Sequence, residues 1–126
     1  SVSPAGSTHV LDIDGLKNET IKFWSIWDNK DLIGCGAIKI LSKYDGEFKS
    51  IRVHDNFRER GYGKKIISTL ISKSRDIGIK NIFIETGSGK FFGPARKLFK
   101  SCGFEACDPF GHYKNDPNSY YMKIKI

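Results

Sequence analysis

The chain has 126 residues and a mass of 14.2 kDa, which fits one domain at about 100–200 residues per domain. Apolar residues make up 39% and aromatic residues 13% of the chain, so the low hydrophobicity typical of disorder is excluded. Lys and Arg total 21 against 14 Asp and Glu, a formal charge of +7. This charge favours a phosphate-bearing partner, such as a nucleic acid, an anionic lipid or a phosphorylated cofactor, without choosing among them.

The cysteines and the hydropathy pattern bear on compartment and metal binding. Cys35, Cys102 and Cys107 form no short CxxC pair, and no histidine stands at a usual zinc spacing. We therefore expect reduced thiols in a cytoplasmic protein without a metal site. No apolar run approaches the roughly 18–20 residues of a membrane span, and no signal peptide pattern is visible.

Three consecutive antiparallel strands are predicted first. Alternating apolar residues indicate a strand at 21–27, and turns separate it from further strands at 32–41 and 47–54. Gly34 and Gly36 lie inside the second of these strands, which indicates a bulge or a close backbone approach.

The hydrophobic period then changes to that of a helix. Apolar residues at helical spacing predict a helix at 61–77 that ends before Gly78. Pro94 opens a second predicted helix, and Gly103 closes it. The other predicted elements are a strand at 79–86 and two closing strands at 104–107 and 119–126. The order of meander, helix, strand, helix and hairpin predicts an α/β fold with a mixed sheet (α+β) and helices packed on it, in one domain over residues 1–126.

A glycine-rich basic loop precedes the first helix. Residues 58–65 read Arg-Glu-Arg-Gly-Tyr-Gly-Lys-Lys, and residues 49–65 hold six basic side chains against two acidic ones. Glycines let a ligand approach the backbone, and the free N–H groups at a helix start attract anions. The loop is therefore a candidate phosphate site, with a solvated basic turn as the alternative.

This loop carries a resemblance to a known family. Arg58-x-x-Gly61-x-Gly63, between a strand and an amphipathic helix, resembles the acetyl-CoA signature of the GNAT N-acetyltransferase superfamily. The second helix followed by Gly103-Phe104 is similar to the family's last helix, and the resemblance covers residues 21–126. It implies a GNAT-like fold with a splayed cofactor cleft. It also implies transfer of an acetyl group from acetyl-CoA to a primary amine of a small molecule or protein, by direct attack in a ternary complex.

The resemblance also implies where the cosubstrate binds. Coenzyme A would lie between the strands at 47–54 and 79–86, with its pantetheine along the strand edge and its pyrophosphate on the loop. The amide of Ile51 would polarise the thioester carbonyl. The implied cofactor-binding residues are Ile51, Arg52, Val53, Arg58, Glu59, Arg60, Gly61, Tyr62, Gly63 and Lys64.

The reaction needs a base, because an alkyl ammonium titrates at about 10.4. Glu47 is the first candidate, since its position matches a glutamate base in several family members; an exposed carboxylate after a turn is the alternative. Glu85 is the second candidate, as a base or an amine-binding carboxylate. Phe99 stands where the family often has a tyrosine that protonates the leaving thiolate, and Tyr113 is the candidate substitute.

The start of the chain departs from the family pattern. About 20 residues precede Ile21, so we expect the usual N-terminal strand and helix to be missing, either because the chain is truncated or because a second subunit in a homodimer supplies them. Trp24 and Trp27 are then expected near an exposed or dimeric surface.

Two other functions stay open: a non-catalytic acyl-CoA-binding protein and a basic nucleic-acid-binding module. The GNAT resemblance implies neither a nucleic-acid nor a membrane partner.

Overall fold

The protein is described by a computed structural model that covers residues 8–12, 20–57 and 61–126. In these ranges seven strands form one sheet, in the order β1-β2-β3-β4-β5-β7-β6, and two α-helices accompany it. The strands are β1 (Thr8–Asp12), β2 (Ile21–Asp28), β3 (Asp31–Ile40), β4 (Asp45–Val53), β5 (Asn81–Gly87), β6 (Glu105–Ala106) and β7 (Ser119–Lys125), and the helices are α1 (Tyr62–Asp76) and α2 (Gly93–Ser101). Neither of these helices is long and apolar enough to cross a lipid bilayer.

The predicted mixed α/β architecture is confirmed. β4 and β5 are parallel, and all other neighbouring strands are antiparallel. From β2 onward, every predicted element is present within two residues at each end. Gly78 and Gly103 have φ values of +91° and +104°, which explains why the two helices end where these glycines predicted.

The expectation that the N-terminal strand is missing is wrong. β1 pairs antiparallel with β2 along its whole length, from Thr8 opposite Asp28 to Asp12 opposite Trp24. Five residues are too few to show a clear period, so the strand is defined by its partner and not by its own pattern. The expected absence of a helix concerns residues outside the described ranges and stays a prediction.

The surface location expected for the two tryptophans is also wrong for Trp24. Its side chain is 1% exposed and lies in the main core with Ile26 and Ile33. Trp27 is half-buried, and its indole Nε1 donates a hydrogen bond of 3.0 Å to Ser25 Oγ. Because β1 pairs with β2, the strand that carries both tryptophans is not an edge strand.

Helix α1 packs directly on β3 because two glycines leave room for it. A Cβ atom on Gly36 would come within 2.5 Å of Leu70 Cδ1, and one on Gly34 would overlap Ile66 Cδ1. Ile66 and Leu70 are fully buried on the inner face of α1. The close backbone approach predicted from these glycines is therefore confirmed.

The predicted bulge is present, but its extra residue lies on the neighbouring strand. Between Cys35 and Ala37 the register on β4 moves from Arg52 to Lys49, so β4 has one residue more than β3 over this step. Ser50 lies in the extra segment with a φ of +55°. A bulge of this kind bends its strand and increases the local twist.

The bend separates the two parallel strands. β4 and β5 are paired only from Asp45 opposite Asn81 to Glu47 opposite Phe83. Beyond Glu47, β4 continues to Val53 while β5 continues beside β7. The splayed cleft predicted from the family resemblance is confirmed.

Candidate active site

The gap between β4 and β5 opens into a cleft of about 990 Å³. The starts of α1 and α2 form its other walls. Its lining includes Glu47, Lys49, Ile51, Arg52, Val53, Gly61, Gly63, Lys64, Glu85, Phe91, Phe99 and Tyr113. Of the predicted site residues that the structure describes, Tyr62 is the one outside this lining. One cavity thus brings together residues that are far apart in the sequence.

One end of the cleft is basic and rich in main-chain donors. Gly61 precedes α1 with a φ of +82°, and no side chain caps the first turn of the helix among the described residues. Lys64 and Arg52 are exposed at this end. A helix start of this kind favours a negatively charged group. Arg58, Glu59 and Arg60 lie outside the described residues, so their predicted contacts stay predictions.

Gly63 sets the width of this basic end. A Cβ atom there would lie 2.8 Å from Leu98 Cδ2 and 3.8 Å from Val53 Cγ2. The glycine therefore lets the start of α1 approach both α2 and the end of β4. A larger residue would push Leu98 aside or widen the gap between the helices.

Tyr62 faces away from the cleft. The residue is 4% exposed, and its ring packs edge-on against Phe57 with the centroids 5.0 Å apart. Its hydroxyl donates a hydrogen bond of 3.4 Å to Asp28 Oδ2. These contacts tie the loop before α1 to the end of β2. The side chain of Tyr62 therefore packs within the fold and does not line the cleft in which it was predicted to bind the cofactor.

The bulge brings a piece of β4 backbone to the cleft. Among the described residues, Ser50 and Ile51 have no register partner on β3, and β4 has none on β5 beyond Glu47. Ile51 is half-buried in the cleft wall. Main-chain groups along this edge are therefore outside the sheet ladders on the β5 side, where an extended ligand can pair with them.

The opposite end of the cleft is acidic and partly buried. Glu47 is 3% exposed, and its Oε2 accepts a hydrogen bond of 2.8 Å from the Tyr113 hydroxyl. The same oxygen lies 3.5 Å from Lys49 Nζ, which is also 3.5 Å from the Tyr113 hydroxyl. No hydrogen bond to the other oxygen, Oε1, is found among the described residues, so Oε1 can accept a hydrogen bond from a ligand.

An aromatic cluster holds Tyr113 in place. Its ring packs against Phe110 and Tyr121, with centroids 5.1 Å and 5.5 Å away. Burial raises the pKa of Tyr113 above its ordinary value, and the hydrogen bond and charge of Glu47 raise it further. The Tyr113 hydroxyl therefore stays protonated and can keep donating to the carboxylate.

Glu85 and Phe99 complete this end. Glu85 is half-buried on β5, and its Oε2 accepts a hydrogen bond of 2.8 Å from Ser119 Oγ. Phe99 is 5% exposed and packs edge-on against Phe104 at 5.3 Å. The cleft therefore contains two carboxylates and one phenol. Phe99, at the α2 position where the family often has a tyrosine, has no ionisable proton to donate.

Two features of the cleft were missed from the sequence. Lys49 was not predicted as a site residue, because its contact with Tyr113 joins residues 64 positions apart. Phe91 is 87% exposed at the lip of the cleft, in edge-on contact with Phe92 at 5.1 Å. The sequence Gly-Ser-Gly-Lys-Phe-Phe at 87–92, a glycine-rich turn followed by two adjacent phenylalanines, could have indicated this exposed aromatic pair.

The cysteines contribute no nucleophile to the cleft. Cys35, Cys102 and Cys107 are free thiols that do not line the cleft. Burial raises the pKa of both Cys35 and Cys107, which lowers the fraction of reactive thiolate. Within the described ranges, no group of three His, Cys, Asp or Glu side chains is arranged to hold a metal ion.

Comparisons with known proteins agree with this geometry. The sequence model of the acetyltransferase (GNAT) family matches residues 3–104. The uncharacterized N-acetyltransferase YsnE of Bacillus subtilis (strain 168) is 40% identical over 125 residues, covering 99% of this chain and 83% of that protein. The uncharacterized N-acetyltransferase YedL of Escherichia coli (strain K12) is 35% identical over 124 residues, covering 98% of this chain and 78% of that protein.

A solved structure shows the same fold at low sequence identity. The GNAT family acetyltransferase from Elizabethkingia anophelis, with acetyl-CoA bound, matches with a TM-score of 0.75 and 15% identity, covering 95% of this chain and 99% of that one. The family match and the two bacterial relatives fit the splayed strands and the glycine-rich helix start seen here. The chain therefore belongs to the GNAT family of acetyltransferases.

Proposed function

We propose that this domain transfers the acetyl group of acetyl-CoA to a primary amine, on a small molecule or a protein, by direct attack in a ternary complex. The observation that carries the proposal is the charge arrangement of one cleft. Its basic end, at the start of α1, suits the phosphates of the donor, and its acidic end, at Glu47 and Glu85, suits an amine. The six steps of β4 from Glu47 to Val53 separate the ends by roughly 20 Å.

The donor binds mainly through backbone groups in this proposal. The pyrophosphate accepts N–H hydrogen bonds from residues 58–64, of which Gly63 and Lys64 lie in the first turn of α1. The pantetheine pairs with the open edge of β4, which the bulge at Ser50 turns toward the cleft. The amide of Ile51 then donates to the thioester oxygen and stabilises the oxyanion that forms during attack.

Glu47 acts as the general base in this scheme. The amine must lose a proton before its lone pair can attack. Glu47 Oε2 is held by Tyr113 and Lys49, which leaves Oε1 for the amine or for a bridging water. Glu85, on the other cleft strand, holds the ammonium form as it enters.

Departure of coenzyme A does not require Phe99 to donate a proton. A thiol titrates at about 8.5, so the thiolate is a tolerable leaving group near neutral pH. Tyr113 is the cleft hydroxyl that could protonate it, although its raised pKa makes it a weak acid. We expect this step to be slow compared with relatives that place a tyrosine on this helix.

Two measurements test the proposal together. Calorimetric titration with acetyl-CoA measures donor binding, and thiol release over a panel of primary amines measures turnover. We expect acetyl-CoA to bind at submillimolar concentration and at least one amine to release coenzyme A. Absence of acetyl-CoA binding at near-millimolar concentration would overturn the proposal.

A non-catalytic acyl-CoA-binding protein is the second candidate, because Phe99 removes the usual proton donor. It predicts donor binding without turnover of any amine. An oligonucleotide titration in the same buffer tests the third possibility, a nucleic-acid-binding module. We do not favour it, because the basic residues of 49–65 cluster around the start of one helix and the sequence contains no nucleic-acid-binding motif. A cytoplasmic location and a homodimer stay predictions, and sedimentation tests the latter.

A further inference from the structure

The cleft holds an amine of its own. Lys49 Nζ lies 3.5 Å from Glu47 Oε2 and 3.5 Å from the Tyr113 hydroxyl. Its side chain is 39% exposed, and it lines the same cavity as Ile51. Any amine that this enzyme acetylates must come next to the base, and the ammonium of Lys49 is already there.

We propose that Lys49 is a site of self-acetylation, in which the active site modifies its own chain. This inference rests on the proposed function, because it uses the same donor and the same base. Glu47 takes a proton from the Lys49 ammonium, and the neutral Nζ attacks the acetyl carbonyl carbon. A C–N bond forms as the C–S bond breaks, and the nitrogen gives up its second proton to water. Coenzyme A leaves as a thiolate that takes up a proton from water.

Position distinguishes Lys49 from the other described lysines. Lys64 also lines the cleft, but it lies at the basic end and makes no ion pair with the described residues. Lys100 lies on the exposed side of α2 and does not line the cleft. Lys49 is two residues from Ile51 on the same strand, so its Nζ is part of the molecule that binds the donor. A nucleophile held in this way reacts much faster than one that must diffuse in, provided that it is correctly placed.

The modification would change the acceptor end of the cleft. An acetylated Lys49 has lost its positive charge, so the ion pair with Glu47 is broken. The carboxylate would then face an incoming ammonium without a competing cation. The charge at the acceptor end of the cleft would then depend on the concentration of acetyl-CoA.

The test is peptide-resolved mass spectrometry of the wild-type protein incubated with acetyl-CoA alone. The rate of acetylation at Lys49 is compared with that at Lys100 in the same sample, which serves as an internal control for direct chemical acetylation. We expect Lys49 to gain one acetyl group at least about tenfold faster than Lys100, at a rate independent of protein concentration. Glu47→Gln should slow it by about a hundredfold or more, while Lys100→Arg should not change it.

The outcomes separate this inference from the proposed function. Turnover of an external amine by wild-type protein with Lys49 left unmodified would overturn the inference and leave the function intact. Lys49 acetylation no faster than that of Lys100, or a rate proportional to protein concentration, would overturn it as well. Absence of acetyl-CoA binding would overturn both.

Discussion

The Tyr113 hydroxyl donates a hydrogen bond of 2.8 Å to Glu47 Oε2, across 66 positions of the chain. This contact fixes one oxygen of the carboxylate at the point where β4 and β5 separate. It joins the loop before β7 to the cleft strand, so the acidic end of the cleft depends on both.

Glu47→Gln is expected to remove the general base while keeping the side-chain shape. The amide can still accept from Tyr113, so the fold and the affinity for acetyl-CoA should hold. We expect kcat to fall by about 10²- to 10⁴-fold, the usual range for general base catalysis. Thiol release with the best amine of the panel measures it.

Glu85→Gln is the matched control for Glu47→Gln. If Glu85 binds the ammonium, its loss should mainly raise KM for the amine, because the chemical step keeps its base. Unchanged turnover in Glu47→Gln together with a large loss of kcat in Glu85→Gln would reverse the two roles.

The stability of the protein should fall in the alkaline range because of Tyr113. Its pKa is raised in the folded state by burial and by Glu47, whereas the unfolded chain titrates at about 10. Above that pH the unfolded state loses a proton that the folded state keeps, so the free energy of unfolding declines as pH rises toward the folded-state pKa. Urea denaturation from pH 8 to 11 measures the slope.

Tyr113→Phe is the variant that isolates this effect. It removes the titrating hydroxyl, so the decline of stability above about pH 10 should become shallower. A slope identical to that of the wild type would show that other groups cause the alkaline loss.

Gly34→Ala is expected to destabilise the fold by about 1–3 kcal/mol, the usual cost of overpacking a core. A Cβ at this position would overlap the Arg52 carbonyl oxygen as well as Ile66 Cδ1. The backbone oxygen cannot move without disturbing the pairing of β3 and β4. Chemical denaturation measures the loss.

Gly89→Ala provides the comparison. Nothing lies within 4 Å of a Cβ placed on Gly89, and its φ is −70°. We expect a change within about 0.5 kcal/mol, as for surface substitutions elsewhere. Equal losses in the two variants would contradict the close packing of α1 on β3.

Phe91→Ala is expected to weaken donor binding without changing stability. The ring is 87% exposed at the lip of the cleft, so it contributes little to the folded core but offers apolar area to a bound ligand. If the ring contributes about 1 kcal/mol to the binding free energy through the apolar area it buries, its loss corresponds to roughly a fivefold rise in Kd for acetyl-CoA. Calorimetry measures the Kd, and Phe91→Leu, which keeps most of the apolar area, should recover much of the affinity.

Much of the fold followed from local pattern. The period of apolar residues identifies α1, and the glycines after each helix mark its end because they take a positive φ. The glycine-rich loop pointed to the basic end of the cleft for a similar reason, since a turn before a helix leaves its N–H groups free. These features depend on residues close in sequence, so the sequence alone determined them.

Other features depended on contacts between distant segments. β1 is a strand because β2 pairs with it, and the bulge lies on β4 although the glycines that suggested it lie on β3. Glu47 and Glu85 could be proposed from position, but the contact of Glu47 with both Lys49 and Tyr113 could not. Local periodicity carries no information about which segments meet, so only the tertiary structure decided which side chains surround the base.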